Sequence, residues 1–334
     1  MEVDKSNFRG VILDSIKQFD VDLDFFNQLE LKRRSFKKVL LCGMGGSALI
    51  GDIFSYFKNN NFTPLILKLP IYIHRSYALP PEADDDTLII CISYSGQTEE
   101  TLSAYQKAKE NDLEIAAITC GGKLAELCQQ NKNPWVKIPT ALQPRLSLGY
   151  QLAALVKIFM AYGLLPSSAD DEFIGLSKKI IPLQLENETK TFCQKLYRKT
   201  PIIYSSDNNQ ALARIWKIKF NENTKIPAFW NYFPELNHNE MVGWNNIFGA
   251  FHFLFIQDSD DLSRIQKRME LTAQLLKQRG LEVDFIKLVG ANPLEKLFWG
   301  ITYGDWISYH LAIFYGVDPN PVDMVEEFKH KLNE

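Results

Sequence analysis

The stretch Ile89-Ile90-Cys91-Ile92-Ser93-Tyr94-Ser95-Gly96-Gln97-Thr98-Glu99-Glu100-Thr101 decides how the chain is read. An apolar run stops abruptly in hydroxyls and one glycine, then takes on a helical pattern. The unbroken run fits a strand covered on both faces of a sheet. Thr98 followed by Glu99, Glu100 and Thr101 marks a helix start, whose first N–H groups lack helical partners and can receive an anion. Ser93, Ser95 and Thr98 add three neutral donors able to hold a phosphate without a fixed counter-charge. Taken alone, an ordinary capped turn is the simpler reading, because it uses the same residue types.

A second segment of the same build shifts the balance. Lys38-Val39-Leu40-Leu41-Cys42 runs into Gly43-Met44-Gly45-Gly46-Ser47-Ala48. Gly43, Gly45 and Ala48 fit the spacing of a dinucleotide loop, which calls for an acidic ribose ligand about twenty residues on. The next apolar stretch, Pro64 to Ile73, instead runs into His74 and Arg75. No G-K-[ST] ending makes the loop a nucleotide-binding P-loop. What remains is a small glycine-rich turn whose Gly46 and Ser47 suit a sugar phosphate.

The 334 residues suffice for about two domains with cores of their own. A net charge of −3 argues against sequence-independent nucleic-acid binding, so an anionic ligand has to be held by local groups. Five cysteines, an odd number with no C-x-x-C pair, fit reduced thiols in a cytoplasmic protein. Met1 to Asp24 lacks a signal-peptide core, and the apolar stretch Gln151 to Leu165 is short for a membrane span and contains Lys157. A soluble, intracellular protein without membrane or nucleic-acid partners is expected.

From Lys38 onward strands and helices alternate, which predicts an α/β fold with mostly parallel sheets. The polar stretch Ser167 to Glu172 is the expected boundary. Four segments follow: an N-terminal helical segment 1–37, a phosphate-binding α/β domain 38–166, a second domain 167–316 and a C-terminal helical tail 317–334. The second half repeats the strand–helix theme, suggesting an old duplication. Its corresponding loop, Gln257-Asp258-Ser259-Asp260-Asp261, is acidic and would repel phosphate. Between its strands lies an insertion rich in polar and aromatic residues, Asn221 to Trp244, read as a long functional loop. Glu222, Lys225, His238 and Glu240 are its ionisable groups with catalytic potential.

Together these strings resemble the sugar isomerase (SIS) fold, and more narrowly the bifunctional phosphoglucose/phosphomannose isomerase family. The matching pieces are Gly43–Ala48, Ser93–Thr101, Pro144-Arg145 with Leu148-Gly149-Tyr150, Asn221-Glu222-Asn223 with Lys225, and Glu235-Leu236-Asn237-His238-Asn239-Glu240. The turn reads Arg145-Leu146-Ser147 where relatives often carry small alanines.

The resemblance implies two SIS-type three-layer α/β/α domains, each with a mostly parallel sheet. It also implies a cofactor- and metal-free aldose–ketose isomerase acting on glucose 6-phosphate, and on mannose 6-phosphate, with fructose 6-phosphate as common product. Gly46, Ser47, Ser93, Ser95 and Thr98 would hold the substrate phosphate, and Glu222 would shuttle the proton between C1 and C2. Arg145 would stabilise the enediolate, and His238, supplied across a homodimer, would open the sugar ring. Lys329 would assist at the ring oxygen, with Lys331 as the other candidate. Two other readings use the same phosphate loops: a non-catalytic sugar-phosphate sensor, and an SIS isomerase for another phosphosugar.

Overall fold

The computed structural model describes residues 3–28 and 35–332, which divide into two compact α/β units. The first comprises Ser15–Ile180 with Asn292–Leu294, and the second Met1–Asp14, Ile181–Ala291 and Glu295–Glu334. The polar stretch 167–172 lies within the first unit. There Ala169 and Phe173 are buried, and Phe173 stacks on Phe19 with ring centroids 4.6 Å apart.

In the first unit six strands form one sheet: β1 (Phe25–Phe26), β2 (Lys38–Cys42), β3 (Ile71–His74), β4 (Thr87–Ile92), β5 (Glu114–Thr119) and β6 (Trp135–Lys137). Their order is β1-β6-β5-β4-β2-β3, parallel throughout except for β1 against β6. β4 and β5 are buried along their whole length, as unbroken apolar runs in a doubly covered sheet require. On one face Ile89, Cys91, Ile115 and Ala117 pack on Ala104 and Tyr105 of helix Glu99–Glu110 and on Leu124 and Cys128 of helix Gly122–Asn131. Helix Gly45–Asn59 lies close against the sheet at Gly51, where a Cβ would come within 2.6 Å of Ile73 Cγ1.

The second unit carries β7 (Thr200–Ser206), β8 (Phe229–Phe233), β9 (Phe251–Gln257) and β10 (Glu282–Lys287), all parallel in the order β10-β9-β7-β8. β8 corrects the reading of Asn221–Trp244 as one long loop. The aromatics Phe229, Trp230, Tyr232 and Phe233 form a strand despite the flanking Pro227 and Pro234, because they pair with β7 and bury Phe233. Tyr204, Phe233, Phe253 and Phe255 make an aromatic core over Ile265, Met269 and Leu276 of helix Ser263–Gln278. Helix Gln210–Lys219 packs on the 23-residue helix Pro293–Tyr315. The indole of Trp216 donates to Gly300 O at 2.8 Å, and a Cβ on Gly304 would meet that ring nitrogen at 2.6 Å. Among the described residues no helix is long and apolar enough to cross a membrane.

Candidate active site

Parallel register places two of the singled-out loops side by side. Cys42 pairs with Cys91, so the turn after β2 and the turn after β4 emerge together at the carboxyl edge of the sheet, the usual ligand end of such sheets. The first turn enters helix Gly45–Asn59 through Gly45, whose φ of +47° favours glycine. Ser47, nearly buried, accepts a hydrogen bond on its Oγ from Tyr94 N at 3.2 Å, which ties the two turns together. In the second turn the hydroxyls of Ser93 and Thr98 lie 2.8 Å apart, and Gln97 N donates to Ser95 Oγ at 3.2 Å. Gly96, at φ +69°, sits so close to the next loop that a Cβ would lie 1.9 Å from Gly121 O. The Tyr94 hydroxyl contacts the backbone N and O of Ala141 and fastens the β6-side segment to the same place.

Arg145 belongs to this cluster. It sits in a 3-10 turn, Pro144–Leu146, and is only 1% exposed. A Cβ on Gly46 would stand 2.8 Å from Arg145 N, so the bare glycine is what lets the two backbones approach. Ser147 Oγ and Gln151 Nε2 both donate to Pro144 O, at 2.8 and 3.1 Å, and Gln18 Nε2 donates to Leu146 O at 2.5 Å. Ser147 therefore braces the arginine turn. Gly46, Ser47, Ser93, Ser95, Thr98 and Arg145 are thus brought together within the first unit.

The remaining candidates belong to the second unit. Glu222 lies on a π-helical turn, Phe220–Thr224, that follows helix Gln210–Lys219. Such turns are rare and recur at functional positions. Its neighbours are fastened to helix Pro293–Tyr315: Asn223 Nδ2 donates to Ser308 Oγ at 2.9 Å and Thr224 Oγ1 to Ser308 O at 2.8 Å. Just before the turn, Lys219 and Asp305 form a buried ion pair, with side chains 1% and 4% exposed. Lys225, in the left-handed region at φ +61°, donates its ammonium to the Glu222 carbonyl and to Pro319 O. Asn221 Nδ2 closes the turn onto Ile226 O at 2.9 Å.

His238 ends a 3-10 turn, Glu235–His238, and its side chain is exposed while Leu236 beneath it is buried. Lys329 lies on the C-terminal helix Asp323–Leu332, exposed and paired with Glu326 at 2.7 Å, and Lys331 pairs with Glu327 at 2.5 Å. Acidic residues open this helix and basic ones close it, as its dipole favours.

The first half matches the model of the SIS domain over residues 34–141, and the second half matches the bacterial phospho-glucose isomerase C-terminal SIS domain over 185–332. A bifunctional phosphoglucose/phosphomannose isomerase of Caldicellulosiruptor bescii is 38% identical over 319 residues, covering 92% of each chain. Another from Aquifex aeolicus is 32% identical over 318 residues, covering 93% of this chain and 96% of its own. The chain belongs to the bifunctional phosphoglucose/phosphomannose isomerase family. Its fold is also similar to the C-terminal domain of glucosamine-fructose-6-phosphate aminotransferase from Francisella tularensis, with a TM-score of 0.73 at 16% identity over 96% of this chain and 100% of that one.

Within this isomerase family member the two units treat the same loop position differently. After β9, where the first unit has its hydroxyl turn after β4, the Lys296 ammonium reaches Asp258 at 2.5 Å and Asp260 at 2.6 Å. An internal cation thus answers the acidic loop. Burial pushes the Asp261 carboxyl up to about 6, although Asn209 Nδ2 and Asp258 N donate to it at 3.3 Å each. Among the described residues no group of three or more His, Cys, Asp or Glu side chains is arranged to hold a metal ion. Sequence reading missed Tyr94, Ser308 and the Lys219–Asp305 pair, whose partners lie 47, 85 and 86 residues away.

Proposed function

We propose that the protein interconverts glucose 6-phosphate and fructose 6-phosphate, and mannose 6-phosphate and fructose 6-phosphate, by proton transfer through a cis-enediolate. Family membership supports the chemistry. The observation that carries the reading is the neutral hydroxyl cradle: Ser47, Ser93, Ser95 and Thr98 gathered at two helix starts on adjacent parallel strands. Such a cradle anchors the phosphate end of a sugar and leaves C1 and C2 for the reacting groups, so binding energy is spent on positioning.

In this reading Glu222 is the base that takes the proton from one carbon and returns it to the other. Arg145 is the proposed stabiliser of the charge that develops on the enediolate, a role that favours the transition state over the ground state. Both C2 epimers lead to one enediolate after a small rotation at C2, so one base serves glucose and mannose substrates. His238 is the proposed ring-opening group, its exposed imidazole offering a donor and an acceptor nitrogen. Lys329 is the proposed partner at the ring oxygen.

The proposed working form is a homodimer in which one subunit lends His238 to its partner. Exposed apolar side chains in the segment that follows that histidine support it: Phe248 is 92% exposed, and Val242 and Ile247 are exposed as well. The C-terminal helix adds Met324, Phe328 and Leu332 on an open face. A cytoplasmic location agrees with five free cysteines, four of them buried. The test is coupled detection of fructose 6-phosphate from each aldose phosphate, together with a panel of other phosphosugars. Turnover confined to another phosphosugar would replace this substrate assignment.

A further inference from the structure

We propose that Glu240 is a positioning residue that holds His238 in place, not a second acid or base. The inference rests on the reading of His238 as the ring-opening group. The Glu240 carboxylate bridges two strands, taking the Tyr204 hydroxyl of β7 on one oxygen and Asn231 Nδ2 of β8 on the other. Trp244 Nε1 donates to the Tyr204 oxygen at 3.1 Å, completing a short chain of bonds. Burial, and then the charge of Glu240, raise the pKa of Tyr204, so the phenol stays protonated and donates. A carboxylate that accepts on both oxygens is occupied as an anchor.

The residues on the other side of His238 are fastened too. Asn237 Nδ2 donates to Thr272 Oγ1 at 2.9 Å, and Arg268 Nη1 donates to Asn237 Oδ1 at 3.1 Å, both from helix Ser263–Gln278. Asn239 Nδ2 closes onto Glu235 Oε1 at 2.8 Å. The backbone through His238 is therefore tied down at Asn237 and at Glu240, while the imidazole itself is exposed. Within Glu235–Glu240, Asn237 and Glu240 are anchored to neighbouring elements and Leu236 is buried, while the His238 imidazole is exposed.

The test compares fructose 6-phosphate with 5-deoxyfructose 6-phosphate, which lacks the hydroxyl needed to close a ring and so bypasses ring opening. Displacing a catalytic group by an ångström costs about a hundredfold. Glu240→Ala should therefore lower kcat on fructose 6-phosphate about ten- to a hundredfold, with KM and turnover of the acyclic analogue changed by less than about threefold. Glu240→Gln should recover part of the loss. Tyr204→Phe, which removes one hydroxyl, should show the same selective pattern more weakly, and it carries the test if Glu240→Ala does not fold. His238→Ala is the reference. If it spares the ratio of the two substrates, the ring-opening assignment falls and the positioning role with it. If His238→Ala skews the ratio while Glu240→Ala and Tyr204→Phe leave it unchanged, or lower both substrates equally, the positioning role alone is overturned.

Discussion

Glu222 shows how little of a side chain's placement is written beside it in the chain. It is the proposed base, but its pose depends on a π-helical turn whose neighbouring residues are held by Ser308 and Asp305, more than eighty residues away. The hydroxyls of the two turns were legible because they follow apolar runs, where a strand must stop. Tyr94 and Ser308 were not, because their roles arise from tertiary contacts. Replacing Glu222 by Gln should lower kcat by about a hundred- to ten-thousandfold with KM nearly unchanged. Exchange of the C1/C2 proton with solvent, followed by NMR, should vanish in this variant, and persistent exchange would remove Glu222 from the base role. Ser93→Ala should act mainly on KM, because it takes one donor from the phosphate cradle.

Elements were read well wherever burial was two-sided. β2, β4 and β5 are continuous apolar strings, and their ends in the structure fall within a residue or two of the pattern. β8 escaped because prolines 227 and 234 bracket it and Asn231 interrupts the apolar pattern, so pairing with β7 decides its conformation. Two predictions belong here. Ser308→Ala should loosen the turn bearing Glu222 and lower kcat more than it lowers thermal stability, as shown by parallel kinetics and melting curves. For Asp261, the pKa raised to about 6 means that folding favours the protonated acid. The resulting stabilisation is full below the ordinary value of 3.8 and is lost as pH rises to about 6. Asp261→Asn should therefore gain on the wild type as pH climbs through that window. The gain should level off above it at up to roughly 3 kcal/mol, and a pH-independent difference in Tm would contradict the sign.

At the scale of the molecule, the second sheet repeats an arrangement found in the first. The order β10-β9-β7-β8 matches β5-β4-β2-β3 strand for strand, as a duplicated ancestor would leave it. What diverged is the loop chemistry, with hydroxyls and glycines in one unit and aspartates answered by Lys296 in the other. Fold class and the placement of the two hydroxyl turns on adjacent strands could be read from sequence because they follow from patterning and turn residues. The homodimer came only as an implication of the resemblance, and the exposed apolar side chains that support proposing it are visible only once the fold is known. Phe248→Glu should place a charge on the proposed interface and yield monomers by light scattering, with activity lost in proportion. A fully active monomer would refute the sharing of His238.

Incubating the purified protein, in EDTA, with glucose 6-phosphate and separately with mannose 6-phosphate, and measuring the fructose 6-phosphate formed, decides whether the protein is a bifunctional isomerase. The proposed mechanism predicts turnover of both, abolished by Glu222→Gln. Formation of fructose 6-phosphate from neither substrate, or undiminished turnover by Glu222→Gln, would contradict it.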